Sequence, residues 1–179
     1  MTQVGKVYGD ALYDLAISEG LSDNILQELT VLEEAFRQCP EFLRLLAAQS
    51  LSKQERCGIL DDSFRGKVHP YVLNFLKILT EKGYPKHFFD CVASYREDYN
   101  RDNGILPVTA VTAVTLGENQ AARLTEKLAA ITGKTIQLHN RLEPGILGGI
   151  RLDYDGKSLD GTVAHRLNAI HAKLKNAVL

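Results

Sequence analysis

The sequence predicts a mainly α fold, with an N-terminal six-helix bundle followed by a small α/β (α+β) C-terminal domain. Three observations carry this. Apolar residues recur at helical spacing, segment after segment, up to about residue 100. After Gly104 the pattern turns to alternation among β-branched residues. Asp102, Asn103 and Gly104 stand between the two patterns, which sets domains of 1–104 and 105–179. Two domains of this size are each short of core and depend on a neighbour or a partner.

In the first helix Val4, Val7, Tyr8, Ala11, Leu12, Leu15 and Ala16 form one inward stripe, and Gly20 ends it. Ser22 is placed to cap the second, with Leu21 stapled to Leu26 and Ile25, Leu29, Leu32 and Phe36 inward. Pro40 starts a short third helix with Phe42, Leu45 and Leu46 inward. Ser52 and Glu55 make a capping-box pattern for the fourth, which carries Ile59, Leu60 and Phe64 and stops near Gly66. Pro70 starts the fifth, whose Val72, Leu73, Phe75, Leu76, Ile78 and Leu79 cover more than one stripe. Pro85 starts the sixth, with Phe88, Cys91, Val92, Tyr95 and Tyr99 inward. Short connections make these a compact bundle.

In the C-terminal domain, Val108, Ala110, Thr112 and Val114 alternate with Thr109, Val111 and Ala113 in a strand, and Pro107 points to a sheet edge or a strand beginning. A helix follows with Ala121, Leu124, Leu128 and Ile131 inward, stopped by Gly133. Ile136 and Leu138 mark a second strand, and Ile150, Leu152 and Tyr154 a third. Asp155 and Gly156 signal a two-residue hairpin into a short strand over 157–159. Asp160 then caps a last helix with Val163, Leu167, Ile170 and Leu174 on one face.

Composition narrows the function. The net charge of −1 divides into −4 over residues 1–104 and +3 over 105–179, and neither part is basic enough to argue for nucleic acid. Cys39, Cys57 and Cys91 are odd in number and widely spaced, which fits reduced, mostly buried thiols and neither zinc nor redox chemistry. No apolar run approaches the roughly 20 residues of a transmembrane helix, and no signal segment is visible at the N-terminus. Residues 145–149, Gly-Ile-Leu-Gly-Gly, lead into a strand, whereas a phosphate loop leads into a helix. His165 and His171 are spaced wrongly for two ligands on one helix face, and His69, His87 and His139 are isolated. Asp153, Asp155 and Asp160 lack a calcium-loop pattern. No nucleophile is paired with a base, so no catalytic residue, cofactor or metal is expected. By this reading alone the chain is an adaptor or interaction protein, with a small nucleotide-binding enzyme on the C-terminal sheet as the alternative.

Residues 148–167, GGIRLDYDGKSLDGTVAHRL, resemble the C-terminal signature of the F-type ATP synthase delta subunit family, that of the oligomycin sensitivity-conferring protein. Its signature positions here are Gly148, Gly149, Asp160, Gly161, Thr162, Arg166 and Leu167. Residues 8–16, YGDALYDLA, resemble the family's opening helix, and residues 74–83, NFLKILTEKG, its fifth. Tyr84, Ala48 with Gln49, and Thr162 depart from the basic residue, Asn-Pro and Ser that are frequent there.

The resemblance implies a non-catalytic stator subunit. It would tie the catalytic alpha/beta hexamer to the membrane-anchored b subunits, so that proton-driven rotation yields ATP. Such a subunit is held peripherally at the cytoplasmic face of a bacterial membrane, one copy per complex, without inserting into it. Tyr8, Ala11, Leu12, Leu15, Val72, Phe75, Leu76 and Leu79 would frame a groove for the N-terminal helix of an alpha subunit. Each of the eight reads equally well as core, Leu15 and Phe75 leaning that way. The C-terminal domain would engage the C-terminal helices of the b subunits. A polar substitution such as Val72→Glu is expected to weaken the alpha contact while the bundle still folds.

Overall fold

In a computed structural model of the chain, the residues described are 2–48, 50–165 and 167. The chain is mostly helical with a small mixed sheet and divides into two compact units, Met1–Tyr99 and Asn100–Leu179.

Six α-helices begin in the first unit: α1 (Gln3–Ser18), α2 (Ser22–Gln38), α3 (Pro40–Leu46), α4 (Lys53–Phe64), α5 (Pro70–Glu81) and α6 (Phe88–Asp102). A 3-10 turn, Pro85–His87, precedes α6, whose last residues belong to the second unit. The starts follow local chemistry. The Ser52 hydroxyl accepts from the Glu55 N–H at 3.2 Å, and the Glu55 carboxylate accepts from the Ser52 N–H at 2.8 Å. Pro40 and Pro70 each occupy a first turn. Ser22 does not cap: it is the first residue of α2, Leu21 holds the cap position, and the Ser22 carbonyl accepts from the Tyr95 hydroxyl at 2.9 Å.

Two inward faces differ from the apolar pattern. On α1 the buried residues are Gly5, Gly9, Leu12, Tyr13 and Ala16, while Val7 and Leu15 are 58% and 38% exposed. The reason is close approach to α6. A Cβ on Gly9 would stand 2.5 Å from the Cys91 carbonyl oxygen, and one on Gly5 would overlap Asp90. The glycine face therefore turns inward although it offers no apolar side chain. On α3 the buried residues are Leu43 and Leu46, and Leu45 is exposed.

The core is aromatic at its centre. Phe36 meets Phe88, Phe42 and Phe64 at centroid distances of 4.8, 5.6 and 6.1 Å. Burial pushes the Cys91 thiol up to about 12, so it stays protonated near neutrality. Cys39 is exposed and Cys57 partly so, hence of the three thiols only Cys91 is fully buried. Glu33 on α2 receives Arg37 at 2.7 Å and Arg96 of α6 at 2.8 Å. Burial opposes ionisation of Glu33, but the two guanidinium groups outweigh it and hold its carboxyl below the ordinary range.

The second unit contains β1 (Ile105–Thr112), α7 (Glu118–Thr132), β2 (Thr135–Leu142), β3 (Ile150–Tyr154) and β4 (Lys157–Asp160), with strand order β2-β1-β3-β4. β1 pairs with β2 in parallel and with β3 antiparallel, so it is central and not an edge. Pro107 fits there because β3 pairs only with Thr109–Thr112 of β1. The Gly104 and Thr112 carbonyls both accept from the β2 side, so by alternation the backbone of residue 107 faces the side that β3 does not reach. β1 stops at Thr112, short of Val114, and the Thr112 hydroxyl donates to the Val114 carbonyl at 2.7 Å.

Alternation sets the faces. Leu106, Val108, Ala110, Ile136 and Leu152 form a core against which Leu124 and Leu128 of α7 pack. Ile131 is 81% exposed and not inward as its spacing suggests. The opposite face carries Arg141, Arg151, Asp153 and Ser158. Asn140 closes the β1–α7 connection: its amide donates to the Ala110 carbonyl and the Thr112 hydroxyl, both at 2.8 Å, and accepts from the Leu116 N–H at 2.9 Å. Asp155 and Gly156 have φ of 44° and 68°, the left-handed pair of a type I′ hairpin. Helix begins again at Val163; Ile170 and Leu174 lie outside the described residues.

Candidate functional site

Within the first unit, α1 and α5 border an open groove of about 430 Å³. Tyr8, Ala11, Leu12 and Leu15 line it from α1, and Tyr71, Asn74, Phe75 and Ile78 from α5. Each set runs i, i+3, i+4, i+7, so two helices present matching stripes to one channel. Leu12 and Phe75 are buried, whereas Leu15 and Ile78 remain 38% and 44% exposed. The Tyr8 ring sits 6.3 Å from that of Tyr84, just beyond the C-terminal end of α5. The Tyr71 ring sits 4.9 Å from that of His69, the cap of α5. Apart from the tyrosine hydroxyls, none of these lining side chains ionises. The chemistry on offer is burial of another apolar face.

Five of the eight groove residues expected from sequence meet here: Tyr8, Ala11, Leu12, Leu15 and Phe75. Val72, Leu76 and Leu79 instead lie in the core, Val72 with no exposure at all. Their substitution by a charge would break the fold before it tested any surface. Leu15 is a lining residue and not a core residue, while Phe75 is both buried and lining. Tyr71, Asn74 and Ile78 are lining positions that the sequence reading does not assign to the groove, Ile78 although it is among the apolar residues of the fifth helix. The signal was available: they fall on the same turn-to-turn row as Phe75.

The signature residues of the second unit form a different kind of site. Gly149 has φ 88°, and a Cβ there would stand 2.6 Å from the Gly161 carbonyl oxygen. The Gly161 N–H donates to the Ile150 carbonyl at 2.9 Å, and the Val163 N–H to the Gly148 carbonyl at 3.0 Å. Asp160 does not cap the helix that follows. It ends β4 and accepts from the Thr162 N–H at 2.9 Å, while the Thr162 hydroxyl accepts from the His165 N–H at 3.2 Å and is the cap. Hydrogen bonds from the Thr162 side chain and backbone hold the Asp160 carboxyl below its ordinary range. Leu167 is exposed, and Arg166 lies outside the described residues. The glycine run is thus engaged in backbone packing, with β3 after it. Asp153 is taken up by Ser158, Arg141 and Arg151.

The family model described as "ATP synthase delta (OSCP) subunit" matches residues 4–174. The ATP synthase subunit delta of Alkaliphilus oremlandii is 30% identical over 176 residues, covering 98% of each chain. That of Moorella thermoacetica is 29% identical over 174 residues, covering 97% of each. Among solved structures, a chain of the Toxoplasma gondii mitochondrial ATP synthase hexamer, determined by cryo-electron microscopy, has the same fold. Its TM-score is 0.78 at 18% identity, with 97% of this chain and 98% of that chain covered.

Proposed function

We infer that this chain, which belongs to the ATP synthase delta (OSCP) subunit family, fastens the catalytic head of the F-type ATP synthase to its membrane-anchored stalk. It is a peripheral-stalk subunit without catalysis of its own. Its link to the membrane is peripheral, through the complex, and no helix among the described residues is long and apolar enough to cross a bilayer.

The first unit acts as a six-helix bundle whose α1–α5 groove receives the amphipathic N-terminal helix of an alpha subunit. The second unit receives the C-terminal ends of the b helices. One copy serves each complex, on the cytoplasmic face of a bacterial membrane. The observation that supports the groove reading is the pair of matching apolar stripes, with Leu15 and Ile78 left facing water. Such a channel fits helix-in-groove recognition, where apolar anchors at i, i+3, i+4 and i+7 supply the buried area.

Titration calorimetry of the full chain with a peptide of the alpha-subunit N-terminal helix tests this. Ile78→Glu sits at an exposed lining position, so the helical circular dichroism stays unchanged while affinity falls tenfold or more. Undiminished affinity would overturn the groove assignment. Val72→Glu is unsuited to the purpose, because Val72 is fully buried and the variant loses the fold with the contact.

A further inference from the structure

Asn74 is the one amide on an otherwise apolar and aromatic lining. It is exposed, and no protein group is hydrogen-bonded to its side chain among the described residues. By contrast, the amide of Asn140 is used internally at three partners, and that of Gln120 accepts from the Gly117 N–H. Asn74 also lies between the two tyrosines of the lining along α5. Tyr71 is one turn before it, and Tyr8 lies towards the far end, beside Tyr84. An occupying helix therefore covers Asn74 in mid-groove, away from water. A covered amide facing only hydrocarbon loses its hydrogen bonds to solvent and gains none.

We propose that Asn74 is a specificity-determining residue of the groove, which fixes the register of the bound helix by pairing with one polar side chain set within that helix's apolar seam. This rests on the groove reading above and adds the partner's chemistry to it. The seam carries apolar anchors at i, i+3 or i+4 and i+7, with a residue such as Ser, Thr, Asn or Gln at the position that meets Asn74. Apolar anchors alone tolerate a slide of one helical turn, about 5.4 Å, because one leucine replaces another. A single polar pair does not, since any shifted register leaves both members buried and unpaired. A lone Asn in an apolar coiled-coil seam fixes register by the same physics, at a cost in affinity.

The test is a double-mutant cycle by titration calorimetry on the full chain, wild type and Asn74→Leu. The probes are the alpha-subunit N-terminal peptide and variants replacing each polar residue of its seam, one at a time, with Leu. The expected result is one variant that binds wild type about tenfold more weakly than the native peptide and binds Asn74→Leu at least as tightly. If the native peptide binds but every replacement has the same effect on both chains, the role of Asn74 is overturned and the groove stands. A seam with no polar residue overturns it as well. If the native peptide does not bind the wild-type chain, the groove reading falls and this inference with it. Asn74→Leu lies on an exposed helical position, and circular dichroism checks its fold.

Discussion

Gly149 and Gly156 share a left-handed backbone, at φ 88° and 68°, yet their surroundings differ. Around Gly156 nothing lies within 4 Å of where a Cβ would stand, whereas at Gly149 the Gly161 carbonyl oxygen would be 2.6 Å away and the Thr162 Cα 2.9 Å. Gly156→Ala adds backbone strain alone, on the order of 1 kcal/mol. Gly149→Ala adds a backbone overlap to that strain, so its loss is severalfold larger. Chemical denaturation followed by circular dichroism is expected to show this ranking, and equal losses would contradict the close-approach account. The same geometry gives each residue of the Asp160-Gly161-Thr162 run its part. Gly161 admits the neighbouring strand, Thr162 caps the next helix, and Asp160 holds the Thr162 N–H.

At the level of elements, α2 and α6 are joined by Glu33, which bridges Arg37 and Arg96. Its folded pKa lies below the unfolded value of about 4.5. The stability it contributes is therefore complete above that pH and is lost as pH falls through the lower folded value. Glu33→Gln is expected to lower the melting temperature at pH 7, and the gap from wild type to narrow below about pH 4. A gap independent of pH would contradict the bridge. Element boundaries were largely legible in the sequence because caps are local: Ser52 with Glu55, Pro40, Pro70 and the Asp155–Gly156 turn each act within a few residues. What could not be read depends on distant partners. The inward face of α1 is set by Asp90 and Cys91, more than eighty residues on, and apolar spacing does not register a glycine contact. The groove was half legible for the same reason. The α1 half follows from one stripe, but on α5 two apolar rows compete, and only packing decides that Val72, Leu76 and Leu79 turn inward while Ile78 does not. The central place of β1 likewise follows from pairing order, which no local pattern encodes.

Over the whole molecule, the two units differ in how much apolar surface they bury. The first has a broad core that includes Leu12, Ile25, Leu29, Phe36, Leu60, Val72 and Tyr95. Among the described residues the core of the sheet is thin, and α7 has no fully buried residue. Native-state hydrogen exchange is expected to find the slowest amides in α2, α5 and α6, with α7 exchanging at much lower protection. Slower exchange in α7 than in α5 would contradict this.

Pro107 carries a consequence for the chain in crowded company. The stretch of β1 beyond the reach of β3 is an open flank where a strand from a second molecule would otherwise add on. An invading strand needs a row of donors and acceptors, and at Pro107 the donor is missing. A single imino acid thus denies an added strand its donor at the one stretch of β1 that β3 leaves unpaired.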